Sequence, residues 1–90
     1  MLKGQLTIIN RLGLHARAAA QLVRLSSGFQ SKIKLTRRDN SVIADAKSIL
    51  SVLTLAAAKG VELDLEVAGE DETEAFSAIK ELFANGFGEM

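Results

Sequence analysis

The chain has 90 residues, 11 basic and 11 acidic side chains and 48% apolar residues, which suits one hydrophobic core, leaves no room for a second and excludes disorder. Zero net charge and aromatics at only 4%, all phenylalanine, leave neither the basic patch nor the stacking platform that nucleic-acid binding needs. With no cysteine, a disulfide framework and a thiolate metal site are excluded, and a single histidine argues strongly against a structural zinc site, so no metal is expected.

Residues 1–10 show no basic segment followed by an apolar one, and no run approaches the roughly 18 apolar residues of a membrane span. A single domain over residues 1–90 is expected, monomeric, cytoplasmic and without membrane insertion.

Residues 2–9 alternate Leu2, Leu6 and Ile8 with Lys3, Gln5 and Thr7, the period of a half-buried strand. From Ala16 to Ser27, Ala19, Leu22, Val23 and Leu25 recur at helical spacing. Gly28 and Phe29 follow, and supply a terminating glycine with its apolar contact. Residues 31–37 alternate again through Ile33 and Leu35, a polar turn runs from Arg37 to Ser41, and Val42 with Ile43 begin a return strand. Lys47 and Ser48 open a short helix over 47–53, before an alanine-rich stretch ending at Gly60. Val61 to Val67 alternates without a break, with an acidic face, and is the clearest strand. After Gly69, Asp71 with Glu74 resembles a capping box. Ala75, Phe76, Ile79, Leu82 and Phe83 then mark one face of a helix closed by Asn85 and Gly86. The order βαββαβα predicts an α+β open-faced sandwich, a four-stranded antiparallel sheet with three helices on one face.

The chain holds no glycine-rich phosphate loop, dinucleotide fingerprint or nucleophile elbow, so it does not read as a free-standing nucleotide enzyme and no cofactor is expected. Attention falls on the one histidine, His15, in Asn10-Arg11-Leu12-Gly13-Leu14-His15-Ala16-Arg17-Ala18. It lies where a glycine-containing loop enters a helix, so the free amides of Ala16, Arg17 and Ala18 would face an anion attached to its ring. Arg17 adds a fixed positive charge that matches phosphoryl oxygens and has no obvious acidic neighbour in sequence. The helix end disfavours imidazolium and favours a nucleophilic ring. These residues by themselves leave two readings open, a phosphoryl acceptor and an ordinary residue at a helix start.

Gly13-Leu14-His15-Ala16-Arg17 resembles the active-site signature of the HPr proteins of the bacterial phosphoenolpyruvate-dependent phosphotransferase system. Ala46-Lys47-Ser48-Ile49-Leu50 resembles their second signature, around a regulatory serine. The likeness runs from the first strand into the Gly-Glu-Asp-Glu start of the last helix. It implies a phosphocarrier whose His15 is phosphorylated on Nδ1 by Enzyme I and donates to a IIA-type protein, in a sugar or nitrogen-related branch. It also implies that Ser48 is a target of an HPr serine kinase/phosphorylase, although a serine at a helix start is otherwise simply a cap. Two departures stand out: Ala18 occupies a place where many relatives have proline, and the Arg37–Ser41 turn is longer than in short family members.

Docking of partners around His15 is expected from Ala20 and Arg24 on the first helix and from Ile49, Leu50 and Ser51 on the second. One of Ile49 and Leu50 is expected in the core and the other on the surface, since a short helix does not bury both adjacent positions. Arg24 would meet acidic partners and act on association rate. A regulatory binding module acting through phosphorylated Ser48, and a structural domain with inert His15, are the competing readings.

Overall fold

In the computed structural model, which describes residues 1–89, the elements run β1 (Leu2–Thr7), α1 (Ala16–Ser27), β2 (Lys32–Arg37), β3 (Ile43–Asp45), α2 (Ile49–Leu53), β4 (Glu62–Ala68), α3 (Glu72–Ala84) and a 3-10 turn at Gly86–Gly88. The strands form one antiparallel sheet in the order β1-β4-β2-β3. The strand with the strictest alternation, β4, takes a central place: Leu63, Leu65 and Val67 are fully buried while Glu62 is exposed. Each such leucine contributes about 1.5–3 kcal/mol by leaving water.

The apolar face of the sheet is covered by the helices. Ala18, Ala19 and Leu22 of α1, Val52 of α2 and Ala75, Ile79 and Phe83 of α3 are buried with Leu6, Ile33 and Leu35 in one cluster. Gly4 of β1 lies so close under α3 that a Cβ there would sit 2.6 Å from Phe76 Cζ. The opposite face stays polar, with Lys34 paired to Glu66 at 3.1 Å and Arg38 to Glu62 at 3.3 Å. This is the α+β open-faced sandwich that the alternation pattern predicts.

Several local expectations are corrected. The capping box does not form: Asp71 is the N-cap of α3 but makes no side-chain cap bond. Its carboxylate instead accepts from the Gln30 and Ser31 amides at 2.8 and 2.9 Å and from the Ser31 hydroxyl, tying the start of β2 to α3. These bonds, the Ser31 hydroxyl foremost, hold the Asp71 carboxyl below its ordinary range. Glu72, the first helical residue, accepts instead from the Gly69 amide at 3.2 Å. Gly28 closes α1 in a right-handed conformation, φ −77°, so its glycine character is not required there. The helix expected over 47–53 is shorter because Ser48 is its N-cap, and Lys47 sits in a turn whose amide donates to Asp45 Oδ1 at 2.9 Å. The return strand starts at Ile43, since the Val42 amide is taken by Asn40 Oδ1 at 3.0 Å.

Candidate functional site

The loop after β1 is held at both ends by backbone bonds. The Ile8 amide donates to Val61 O at 3.0 Å, and the Leu14 amide donates to Ala57 O at 2.9 Å. Between them Asn10 is fully buried, and its Nδ2 donates to Gly13 O at 2.9 Å. Gly13 turns the chain at φ +68°, a left-handed conformation that side chains disfavour. The loop then delivers His15 as the N-cap of α1, in extended backbone geometry, with its carbonyl accepting from the Ala19 amide at 2.8 Å.

The two ring nitrogens of His15 have different partners. Nδ1 accepts from the Arg17 amide at 3.3 Å, so it carries a lone pair and the ring proton resides on Nε2. Nε2 lies 2.9 Å from both carboxylate oxygens of Glu89. The His15 side chain is 26% exposed and that of Glu89 16%, so the pair is partly shielded from water. Glu89 Oε1 also accepts from Asn10 Nδ2 at 2.9 Å. That bond first, the bond from His15 second, and the positive charge of Arg17 hold the Glu89 carboxyl below its ordinary range.

Glu89 reaches the site through the 3-10 turn. Phe87 is buried at φ +57°, with its ring edge-on to Phe83 at a centroid distance of 4.9 Å. Its carbonyl accepts from Gln21 Nε2 on α1 at 3.2 Å. The 3-10 turn is thereby packed against α3 and fastened to α1.

Arg17 is exposed and shares a shallow depression with Arg11, Leu12 and Glu89. Arg17 has no acidic neighbour in sequence, but the fold brings Glu89 beside it in space. The Arg17 amide is engaged by Nδ1, so an incoming anion finds it already turned toward the attacking nitrogen. Ala16 is exposed, Ala18 buried and Ala20 half-buried, and Arg24 is exposed about two turns along the face that bears Arg17.

Ser48 Oγ accepts from the Ser51 amide at 3.3 Å and so caps α2, while Ser51 Oγ accepts from the Asp45 amide at 2.9 Å. The expectation that one of Ile49 and Leu50 is core is corrected. Ile49 is 40% exposed and Leu50 75%, because the short helix uses Val52 to reach the core. Leu53 and Leu12 are exposed as well. Asn10, Leu12 and Glu89 are the site residues that sequence reading misses. The glycines around Phe87 show that the chain turns there, but nothing in a linear sequence says that the turn returns a carboxylate to His15.

A family model described as the PTS HPr component phosphorylation site matches residues 2–85. The chain belongs to the HPr family. It is 51% identical over 89 residues to the phosphocarrier protein HPr of Cupriavidus necator, covering 99% of this chain and 98% of that one. HPr from Thermoanaerobacter tengcongensis superimposes with a TM-score of 0.93 at 36% identity, covering 100% of this chain and 99% of that one. A second structure from that organism, described as an HPr dimer, gives a TM-score of 0.77 at 36% identity over 99% of this chain and 100% of that one. The chain is thus an HPr-type phosphocarrier of the phosphotransferase system, and the match to the family model ends before Glu89. Among the described residues, no helix is long and apolar enough to cross a membrane and no cluster of ligating side chains forms a metal site.

Proposed function

We propose that this HPr-family chain acts in the cytoplasm as a monomer, accepting a phosphoryl group on Nδ1 of His15 from phosphorylated Enzyme I and donating it to a IIA-type protein. The observation that carries this reading is the placement of His15: the N-cap of α1, with Nδ1 unprotonated, facing the first-turn amides, and with Arg17 alongside. In the forward step the Nδ1 lone pair forms a bond to phosphorus as the donor's phosphorus–nitrogen bond breaks, and that bond's electron pair stays with the donor. The amides of Ala16, Arg17 and Ala18 and the helix end then face the anion, and the Arg17 guanidinium supplies charge-assisted donors. Phosphate incorporated from phosphoenolpyruvate through Enzyme I should be labile in acid, stable in base and located on His15 by mass spectrometry. Phosphate found elsewhere after that treatment would overturn the reading.

Replacing Arg17 by alanine should slow uptake about tenfold, the loss of one partly solvated charged hydrogen bond. Because Arg17 is exposed and makes no side-chain hydrogen bond in the free protein among the described residues, the thermal midpoint should stay within about 1 °C of the parent's. An unchanged uptake rate would show that its guanidinium is not a phosphate ligand.

Ser48 is the regulatory position in this reading, modified by a serine kinase. Its hydroxyl sits at the start of α2, next to the exposed Ile49 and Leu50 that we assign, with Ala20, Arg24 and Ser51, to partner docking. A phosphate of charge about −2 there suits a helix N-terminus but repels an acidic partner surface drawn to Arg17 and Arg24. Ser48→Asp should leave the thermal midpoint unchanged or slightly raised and slow phosphorylation by Enzyme I about threefold at low salt, with partial recovery at high salt. A lowered midpoint that accounts for the lost rate would mark Ser48 as a cap only.

A further inference from the structure

His15 can present Nδ1 as a nucleophile only while the ring proton stays on Nε2, and that nitrogen faces both oxygens of Glu89 at 2.9 Å. The placement of this carboxylate is over-determined. Buried Asn10 donates to it at 2.9 Å while also donating to Gly13 O, and Gln21 and the Phe83–Phe87 contact fix the turn that carries it. We propose that Glu89 is a positioning residue for phosphoryl transfer, holding a proton on Nε2 of His15 before, during and after the Nδ1–phosphorus bond is made.

The inference rests on the assignment of His15 as phosphoryl acceptor and adds a reason for the turn at Phe87 to bring Glu89 back to the loop. As the Nδ1 lone pair bonds to phosphorus, positive charge builds on a ring that already carries a proton at Nε2. The Glu89 carboxylate, 16% exposed, offsets that charge without accepting the proton outright. In the return step the phosphorus–nitrogen bond breaks and its electron pair goes back to Nδ1. The leaving group is then a neutral imidazole, whereas a ring that had lost its Nε2 proton would have to leave as an anionic imidazolate. One carboxylate therefore favours loading and unloading together. The Arg17 amide on Nδ1 and the carboxylate on Nε2 select the same tautomer from opposite edges of the ring.

Two variants of the full chain separate this role from a mere clasp for the terminus. Glu89→Gln keeps the shape and one acceptor but removes the charge, and Glu89→Ala removes both. Steady-state phosphorylation by Enzyme I should show kcat lower by about tenfold in Glu89→Ala and about threefold in Glu89→Gln. KM for the carrier should change by less than about twofold, because the docking face is untouched. Spontaneous hydrolysis of the phosphorylated chain at neutral pH should be several-fold slower in both variants, since the ring then loses its Nε2 proton more readily and leaves less well. A clasp of purely structural value predicts the opposite, a loosened site that admits water and hydrolyses at the parent's rate or faster. In the unphosphorylated parent, proton NMR should show a slowly exchanging, downfield Nε2–H resonance that disappears in Glu89→Ala. Unchanged kcat, unchanged or faster hydrolysis, or no such resonance in the parent would each overturn the proposal. Failure of the parent itself to take phosphate on His15 would instead overturn the function on which it rests.

Discussion

Replacing His15 by alanine should abolish phosphoryl uptake entirely while leaving the domain folded. The loss is complete because His15 is the only imidazole in the chain and there is no cysteine to substitute for it. The fold should survive because the ring is 26% exposed and contributes no core contact. Its structural part is the cap bond from the Arg17 amide and the pairing with Glu89. Losing a side-chain cap costs about 1 kcal/mol, which for a domain of this size lowers the thermal midpoint by roughly 4–8 °C. His15→Asn sharpens the test, since asparagine caps helices well but is no phosphoryl acceptor. This variant should recover most of the lost midpoint and none of the uptake. Residual transfer in either variant would refute His15 as the sole acceptor, and recovery of uptake by the asparagine would show that only the cap mattered.

The fold was legible in the sequence where one periodicity dominated. Strand β4 alternates without interruption and α3 repeats Ala75, Ile79 and Phe83 on one face, so the pattern alone marks both elements to within a residue or two. What was not legible depends on side chains choosing partners outside their own segment. Asp71 has the spacing of a capping box with Glu74, yet the amides of Gln30 and Ser31 are within its reach and win it. One of Ile49 and Leu50 reads as a core residue because both are apolar, but a one-turn helix presents only Val52 to the interior and leaves both exposed. At the site, His15 and Arg17 could be singled out because the loop-to-helix junction is local. Glu89 could not, since its pairing with His15 spans 74 residues and depends on a reversal at Phe87 that local propensity opposes.

Gly13→Ala should destabilise the domain by about 2–4 kcal/mol and misplace His15. Two costs combine at this position. The backbone stands at φ +68°, where a residue with a Cβ is disfavoured by about 1–2 kcal/mol. The added Cβ would also lie 2.5 Å from Ala57 O and 2.9 Å from Ala58 Cα. Those are backbone atoms that cannot swing aside, so one segment must move. The segment is the one whose Ala57 carbonyl accepts from the Leu14 amide at 2.9 Å, the bond that fixes the entry to His15. Gly60 provides the control, because it also has a positive φ, +91°, but an added Cβ there meets nothing within 4 Å. Gly60→Ala therefore carries only the conformational cost, about 1 kcal/mol, and denaturant unfolding of the two variants isolates the contact contribution by difference. The site should register the shift too: Asn10 Nδ2 bonds both Gly13 O and Glu89 Oε1, so moving Gly13 disturbs the carboxylate that faces Nε2. Phosphorylation of Gly13→Ala at a temperature where it remains folded should thus be slower than that of Gly60→Ala. Equal destabilisation of the two variants would show that the loop yields without cost, and equal rates would show that the position of Gly13 does not govern the geometry of His15.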